Sequence, residues 1–564
     1  MQRLTSVIEE MGNPFAEETG DLLVLDSKNI ADSIGVDLVA THLDRGRSQY
    51  NTFIADLQKD PSSLYNTIKR NCTDFFKQRP KAILPSETKL LKDDPQLFSQ
   101  LFISVQIRGC DLLDFFTHEN QSYPPALSKN GMLRTCAKSD LVNILQSLVT
   151  VPDLKPQSDL LIVDGACLIN AKIPPKSKSF EGYATKDILQ QLLRYSSTYQ
   201  RTDIIFDVYH DSSLKAEARS KRGKSLRRRV TEKSKTPTNW KSFLRDSTNK
   251  TELFQLIADI VSTINTTNPV IVTKAENVIT SANFASLDVD ELVPCSQEEA
   301  DTRIFLHVWD AVRRGFKSVI IDANDTDIVI IATSFMPSLK AQGLEKMWVR
   351  FGKGEHTRWL PIHDIVDVIG HEKVRGILFF HAFTGCDLIS AFNGKGKKCA
   401  WQTWNVFHEI SQTFAQLSKV PCEIDECALQ NLEKYVVLMY DRSSTTSSVN
   451  EARLDLFARK QRSYDTIPPT QAALKEHAKR AAYQAAHVWG QCLIAQPELQ
   501  CPSEWGWSKN GDRWTVVWTT LEPISKSCRQ LTKCGCKKCS GRCKCIKNGL
   551  SCTQLCSCLC LISQ

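Results

Sequence analysis

Sixteen residues of this chain have the types and spacing of metal ligands: seven carboxylates and nine thiols. The carboxylates stand where short apolar runs stop. LLIVD ends at Asp164, IIFD at Asp207, PCSQEEAD at Glu299 and Asp301, SVIIDANDTD at Asp325 and Asp327, and HAFTGCD at Asp387. One strand-terminal aspartate is a common turn former or helix cap. Recurrence at five separated places, twice as an acid-x-acid pair, is hard to assign wholly to turns. Acids gathered at one site cannot all stay ionised without cations, and oxygen ligands select hard divalent ions. Metal held by carboxylates points to phosphate chemistry.

The thiols crowd the end of the chain as CGCKKCSGRCKCIKNGLSCTQLCSCLC, nine in 27 residues: Cys534, Cys536, Cys539, Cys543, Cys545, Cys552, Cys556, Cys558 and Cys560. Ten of the 21 cysteines fall between Cys528 and Cys560. In a large chain whose start, MQRLTSVIEEMG, has acids where a signal peptide is apolar, dense cysteine reads as metal before disulfide. Adjacent C-x-C pairs cannot easily form separate tetrahedral sites, but bridging thiolates let nine sulfurs serve about three Zn²⁺. The segment has almost no apolar core, so metal would supply its folding free energy. The other eleven cysteines read as ordinary buried thiols.

The elements that must position the acids follow from the pattern between about 155 and 390. LLIVD, RTDIIFDVY, NPVIVT, SVIIDA, DIVIIAT and GILFFHAF read as strands, and ATKDILQQLLRYSST, TELFQLIADIVSTI and EEADTRIFLHVWDAVRRG as helices between them. Alternation of this kind predicts an α/β domain: a parallel sheet with helices on both faces and acids at the carboxyl ends of its strands, where open sheets place ligands. Asp325 and Asp327 are expected on an extended segment, pointing the same way. Glu299 and Asp301 are expected near a helix start, whose dipole favours negative charge by itself. Residues 1–150 read as a helical domain of unknown role without a chemical motif. Residues 416–520 read as a helical extension containing Trp505, Trp507, Trp514 and Trp518, expected as an aromatic plug.

In order and in type, these motifs resemble the flap endonuclease, or XPG-like, branch of the PIN-like nucleases. The likeness rests on VDG at Asp164, IFD at Asp207, E-A-D at Glu299 and Asp301, D-T-D at Asp325 and Asp327, and T-G-C-D at Asp387. Two further matches are not acidic: FDVYHDSSLKAEARSKR, similar to the family's basic helix beside the active site, and FNGKGKK-CA, similar to the turn of its duplex-gripping helix-two-turn-helix. The resemblance implies a PIN-like nuclease domain over 155–415 with two Mg²⁺ or Mn²⁺ on the seven acids and two-metal hydrolysis of phosphodiesters. It implies Lys215 and Arg222 as catalytic cations on the scissile phosphate, and Gly394, Gly396, Lys397 and Lys398 as backbone-binding residues. The chain departs from the family at Val208, where a glycine is usual, at Asp301, where a glutamate is usual, and in the roughly 160 residues before Asp164. The tail resembles the CXC domain of tesmin-like chromatin proteins, which implies a zinc-binding domain over 526–564 with Lys537, Lys538, Arg542 and Lys544 toward DNA.

Charge agrees with a polyanionic partner. The net +8 hides a segregation, with eight basic and no acidic residues over 523–564 and eight basic residues against Glu217 over 214–229. The run KRGKSLRRR at 221–229, with Arg227, Arg228 and Arg229, reads as a solvated loop, a nuclear import signal or a DNA-facing arch. No apolar stretch has the length of a membrane span. The expectation is a soluble, nuclear, structure-specific DNA endonuclease or exonuclease, of mobile-element origin by its architecture. A catalytically inactive DNA-binding or chromatin scaffold and an RNA-directed PIN nuclease are the alternatives.

Overall fold

The computed structural model describes residues 21–23, 29–31, 33–59, 102, 112–174, 179–210, 212–220, 226–352, 354–459, 462–511, 513–524, 534–537, 539, 543–547, 549, 551–552 and 556–558. The chain divides into two compact units, one of residues 1–84, 173–188 and 223–257, the other of 85–172, 189–222 and 258–564. These boundaries cut across the expected segments 1–150 and 155–415, while 416–520 and 526–564 fall in the larger unit.

The larger unit is built on a seven-stranded sheet. After a short ribbon, β1 (Ser128–Lys129) with β2 (Met132–Leu133), come β3 (Leu160–Asp164), β4 (Arg201–Ile205), β5 (Val270–Lys274), β6 (Asn277–Thr280), β7 (Ser318–Asp322), β8 (Lys346–Phe351) and β9 (Arg358–Pro361). Their order across the sheet is β6-β5-β4-β3-β7-β8-β9. The inner five run parallel, and β6 and β9 close the edges antiparallel. The chain winds from β3 outward one way through β4 and β5 and the other way through β7 and β8. The crevice beyond the carboxyl ends of β3, β4 and β7 is therefore a topological switch point, where such sheets bind ligands. Leu160 to Val163, Ile204, Ile205 and Val319 to Ile321 are buried, as strands covered on both faces require.

Two apolar runs expected as strands are helices. DIVIIAT lies in helix Thr326–Ala341, and GILFFHAF in helix His371–Phe383. Both are enclosed nearly all round, so neither carries a helical periodicity in its sequence. The Asp325 carboxylate accepts from the backbone N–H of Asp327 and caps the first of them, so the pair stands on a helix start and not on an extended segment. Strands β6, β8 and β9, which the sequence reading missed, complete the sheet.

Helices of the extension pack into the same core: Tyr435 and Trp489 are fully buried with the sheet's Ile162 and Ile321, as is Trp404 just before the extension. The ribbon and helix Ser139–Gln146 join them, burying Leu141, Val142 and Leu145. Trp505, Trp507 and Trp518 also sit in this core, as the plug reading expects. Among the described residues no helix is long and apolar enough to cross a membrane.

In the smaller unit, Trp240 stacks on Phe243, and Phe180 and Tyr183 pack around them. Residues 226–230 lie along helix Ser247–Val261 in this unit, with Arg227 and Arg229 both paired to Glu252 and Arg229 also to Asp21.

Candidate metal centre

Each acid is delivered by the end of an element. Asp164 closes β3 and caps helix Gly165–Ala171, its Oδ1 accepting from Ala166 N–H at 2.9 Å. A Cβ at Gly165 would lie 2.2 Å from the Phe206 ring, so the ends of β3 and β4 approach this closely only with glycine there. Two residues past β4, Asp207 takes the Ala300 N–H at 2.9 Å and the Tyr209 hydroxyl at 2.8 Å. It thereby fixes the start of helix Ala300–Arg313, whose N-cap is Glu299 and whose first turn holds Asp301. The same helix is anchored below by a buried polar knot: Arg201 bonds Asp203 and Asp310, and His307 bonds Asp203 at 2.7 Å. Asp387 follows the turn at Gly385, which has φ +112 and leaves no room for a side chain against Ala391.

Oxygens of Asp301, Asp325 and Asp327 all lie within 4.8 Å of one another, close enough to share an ion. Burial and then the Asp325 charge hold the Asp301 carboxyl well above its ordinary range. Burial, and then Asp207, push Asp164 up to about 7. Asp327 goes the other way. Burial opposes its charge but is outweighed by the hydrogen bond from His381 and by Lys138, so it stays ionised. Burial, and then Lys397, bring His381 down to about 4.

Two lysines enter this field. The Lys215 ammonium lies 2.5 Å from Glu299 Oε1, while Glu299 Oε2 is buried without a hydrogen-bond partner. Lys138 reaches in from before Ser139–Gln146: its Nζ lies 2.9 Å from Asp327, 2.7 Å from Asp387 and 4.0 Å from Asp325. An orphaned buried carboxylate oxygen beside a triad of acids is a donor set that fits a hard divalent cation.

The other expected site residues divide. Gly394 and Gly396 are exposed on the turn before helix Lys397–Val406, and Lys398 is exposed in its first turn. Lys397 is not a backbone-binding residue. Its ammonium is fully buried and donates to His381 O, Thr384 Oγ1 and Gly385 O, closing the end of helix His371–Phe383. Arg227 and Arg229 are engaged by acids of the smaller unit, and Arg228 is buried. Arg222, Lys538, Arg542 and Cys560 lie outside the described residues. Lys138 and His381 are functional candidates the sequence reading missed. His381 heads the quoted run HAFTGCD and could have been found there. Lys138 has no signal in its neighbours.

In the tail, eight described cysteines form three overlapping groups of four: Cys534, Cys536, Cys539, Cys543; Cys534, Cys539, Cys552, Cys558; and Cys534, Cys545, Cys552, Cys556. Cys539 and Cys552 sulfurs lie 3.2 Å apart, Cys534 and Cys558 3.5 Å, and Cys536 and Cys539 4.0 Å. Tetrahedral zinc with bonds of ~2.3 Å has S···S edges of about 3.8 Å. Disulfides would need ~2.05 Å. Lys537 and Lys544 are exposed beside these sulfurs.

Fold and site together define an open α/β protein with an acidic centre at the carboxyl edge of its sheet and a separate thiol cluster. No protein-family profile and no curated protein matches the chain. Among solved structures it is similar to the flap endonuclease of bacteriophage T5 in a pseudo-enzyme–product complex with DNA and metal ions. That match has 15% identity over 59% of this chain and 96% of the other, with a TM-score of 0.28. The phage protein co-crystallised with metal ions gives 16% over the same shares, with a TM-score of 0.27.

Proposed function

We propose that this chain is a metal-dependent nuclease that hydrolyses phosphodiesters of branched or duplex DNA and is tethered to DNA by its zinc-holding tail. The observation that carries the reading is the convergence of Asp301, Asp325 and Asp327 at the switch point, beside the unpartnered oxygen of Glu299. Asp164, Asp207 and Asp387 complete the set that would hold Mg²⁺ or Mn²⁺. Such ions, when bound, lower the pKa of a coordinated water and neutralise charge on the phosphate. The chain's own part is to hold the carboxylates at fixed depth and to offer a cation to the phosphate. Lys215, beside Glu299 on helix Leu214–Ser220, would serve as that cation, joined by Arg222. Exposed Gly394, Gly396 and Lys398 would take duplex backbone.

In the tail, the three overlapping thiol groups favour about three Zn²⁺ in a CXC-type cluster, with Lys537, Lys538, Arg542 and Lys544 neutralising phosphates. A DNA-cutting protein with a chromatin-type tail belongs in the nucleus, and this pairing of parts favours mobile-element origin. A second reading, a DNA-binding scaffold that no longer cuts, draws on Lys138, whose ammonium already pairs with Asp327 and Asp387.

The test is cleavage of flap, fork and duplex DNA, and of matched RNA, with Mg²⁺ and Mn²⁺. Asp325→Ala and Asp327→Ala should each lower the rate at least ~10³-fold, about 4 kcal/mol of transition-state stabilisation, while DNA retention by the tail persists. Wild-type protein inert on every substrate leaves the scaffold reading standing; preference for RNA would transfer the reaction to the RNA-directed reading.

A further inference from the structure

We propose that the Lys138 ammonium is a built-in cation occupying one of the two cation positions of the acidic centre, so that the centre takes a single divalent ion. The inference rests on the metal-dependent reading above but alters its stoichiometry. Lys138 Nζ bridges carboxylates from two separate elements, as a bridging ion does. It contacts both oxygens of Asp327, at 2.9 and 3.1 Å, and Asp387 Oδ1 at 2.7 Å. Asp327 Oδ1 also receives His381 Nε2 at 2.9 Å, so neither oxygen of this nearly buried carboxylate is free. Asp387 stands outside the triad able to share an ion, and its ion-pair partner among the described residues is Lys138. The other lysine behaves differently: among the described residues Lys215 is ion-paired with Glu299 alone and makes no ion pair with Asp301 or Asp325.

The ammonium is positioned by the fold and not by a swinging side chain on a loose loop. Ala391 N–H donates to Arg134 O at 2.8 Å and Asn393 N–H to Ala126 O at 2.8 Å, clamping the segment that precedes Lys138. The Cys136 thiol lies 3.5 Å from Gly385 O, beside the turn that delivers Asp387. Helix Ser139–Gln146, which follows immediately, is nailed into the main core by Leu141, Val142 and Leu145. A divalent ion seeking Asp327 and Asp387 would meet a fixed positive charge at contact distance and could enter only by expelling it. Asp301 and Asp325 stand on the farther side of the group, with Lys138 Nζ at 4.0 Å from Asp325 instead of contact distance.

The experiment counts Mn²⁺ on the full, zinc-loaded chain by calorimetry and by low-temperature EPR, taking Asp325→Ala as the baseline for ions bound elsewhere. One ion per chain with an isolated-ion spectrum is expected in the wild type. Lys138→Met should raise the count to two and give the spectrum of an exchange-coupled pair, and Lys138→Arg should keep it at one. Two ions in the wild type would overturn the inference while leaving the metal-dependent reading intact, a measurement that needs no variant at position 138 to fold. An unchanged count in a folded Lys138→Met would also overturn it. No ion above baseline in either protein would remove the metal-dependent reading and this inference together.

Discussion

The two clusters of ligands in this molecule are held in opposite ways. The acids stand at the ends of β3, β4 and β7 and on two helix starts, all rooted in a core that includes Ile162, Ile304, Ile321 and Ile330. Among the described residues the thiols have no such foundation: the buried residues of their cluster are Cys534, Cys543, Cys545 and Cys558 themselves. In the first region the core sets where the ligands stand. In the second the ligands are the core, and the ion must do the holding.

The largest predicted effect breaks that contrast at the tail. Removing metal with a strong chelator should unfold residues 534–558 completely, because zinc contributes roughly 10–16 kcal/mol to the folding of comparable small domains. The sheet unit should keep its far-UV circular dichroism and its protease resistance. Cys534 belongs to all three thiol groups and Cys536 to one, so Cys534→Ser should release more zinc than Cys536→Ser. Equal zinc loss from the two variants would contradict the overlapping arrangement.

The next effect concerns the foundation of the acids. His477 is fully buried, bonded through Nε2 to Phe383 O at 2.8 Å, and its Nδ1 has no partner. Burial, and then the Arg480 charge, bring it down to about 3. Its folded pKa is therefore below the unfolded one, so the unfolded chain binds the extra proton. Stability from this group is complete above the unfolded pKa of ~6.5 and is lost as pH falls toward about 3, with about 3 kcal/mol of the loss falling between pH 7 and pH 4. Urea melts of the sheet unit at pH 7 and pH 4 measure this, and His477→Gln should flatten the slope if it folds.

How far the sequence discloses each region follows from the same contrast. The thiol density is local, so a metal-binding tail could be read directly from C-x-C and C-x2-C, whereas the grouping, which joins Cys534 to Cys552 and Cys558, could not. The acids are also legible, because a strand buried on both faces is a continuous apolar run and its end is visible. What could not be read depends on tertiary packing. DIVIIAT has the composition of a strand and becomes a helix because Asp325 caps it and the core encloses it. Lys138 and Lys397 are both lysines near acids or glycines in sequence. Only the fold decides that one ammonium enters the carboxylates and the other closes a helix end.

The smallest effect sharpens the comparison most, because its sign should depend on the ion. Asp301 is held well above its ordinary range by burial and then by Asp325, so the ion-free fold disfavours its negative form. Asp301→Asn keeps the shape of the side chain in the first turn of helix Ala300–Arg313 while removing that charge. It also forfeits attraction to Lys215, which lowers the gain without reversing it. Ion-free Asp301→Asn should therefore be more stable than the wild type by about 1 kcal/mol, a pattern expected where function requires a strained site. Saturating Mn²⁺ should reverse the order, since ligand binding stabilises the folded state in proportion to affinity and the variant has lost a charged donor. Thermal melts of both proteins with and without Mn²⁺ test this, and two curves that keep the same order in both conditions would remove Asp301 from the ion's ligand set. No cysteine of the tail should behave this way: Cys→Ser there should only destabilise, because those ligands have no fold to resist.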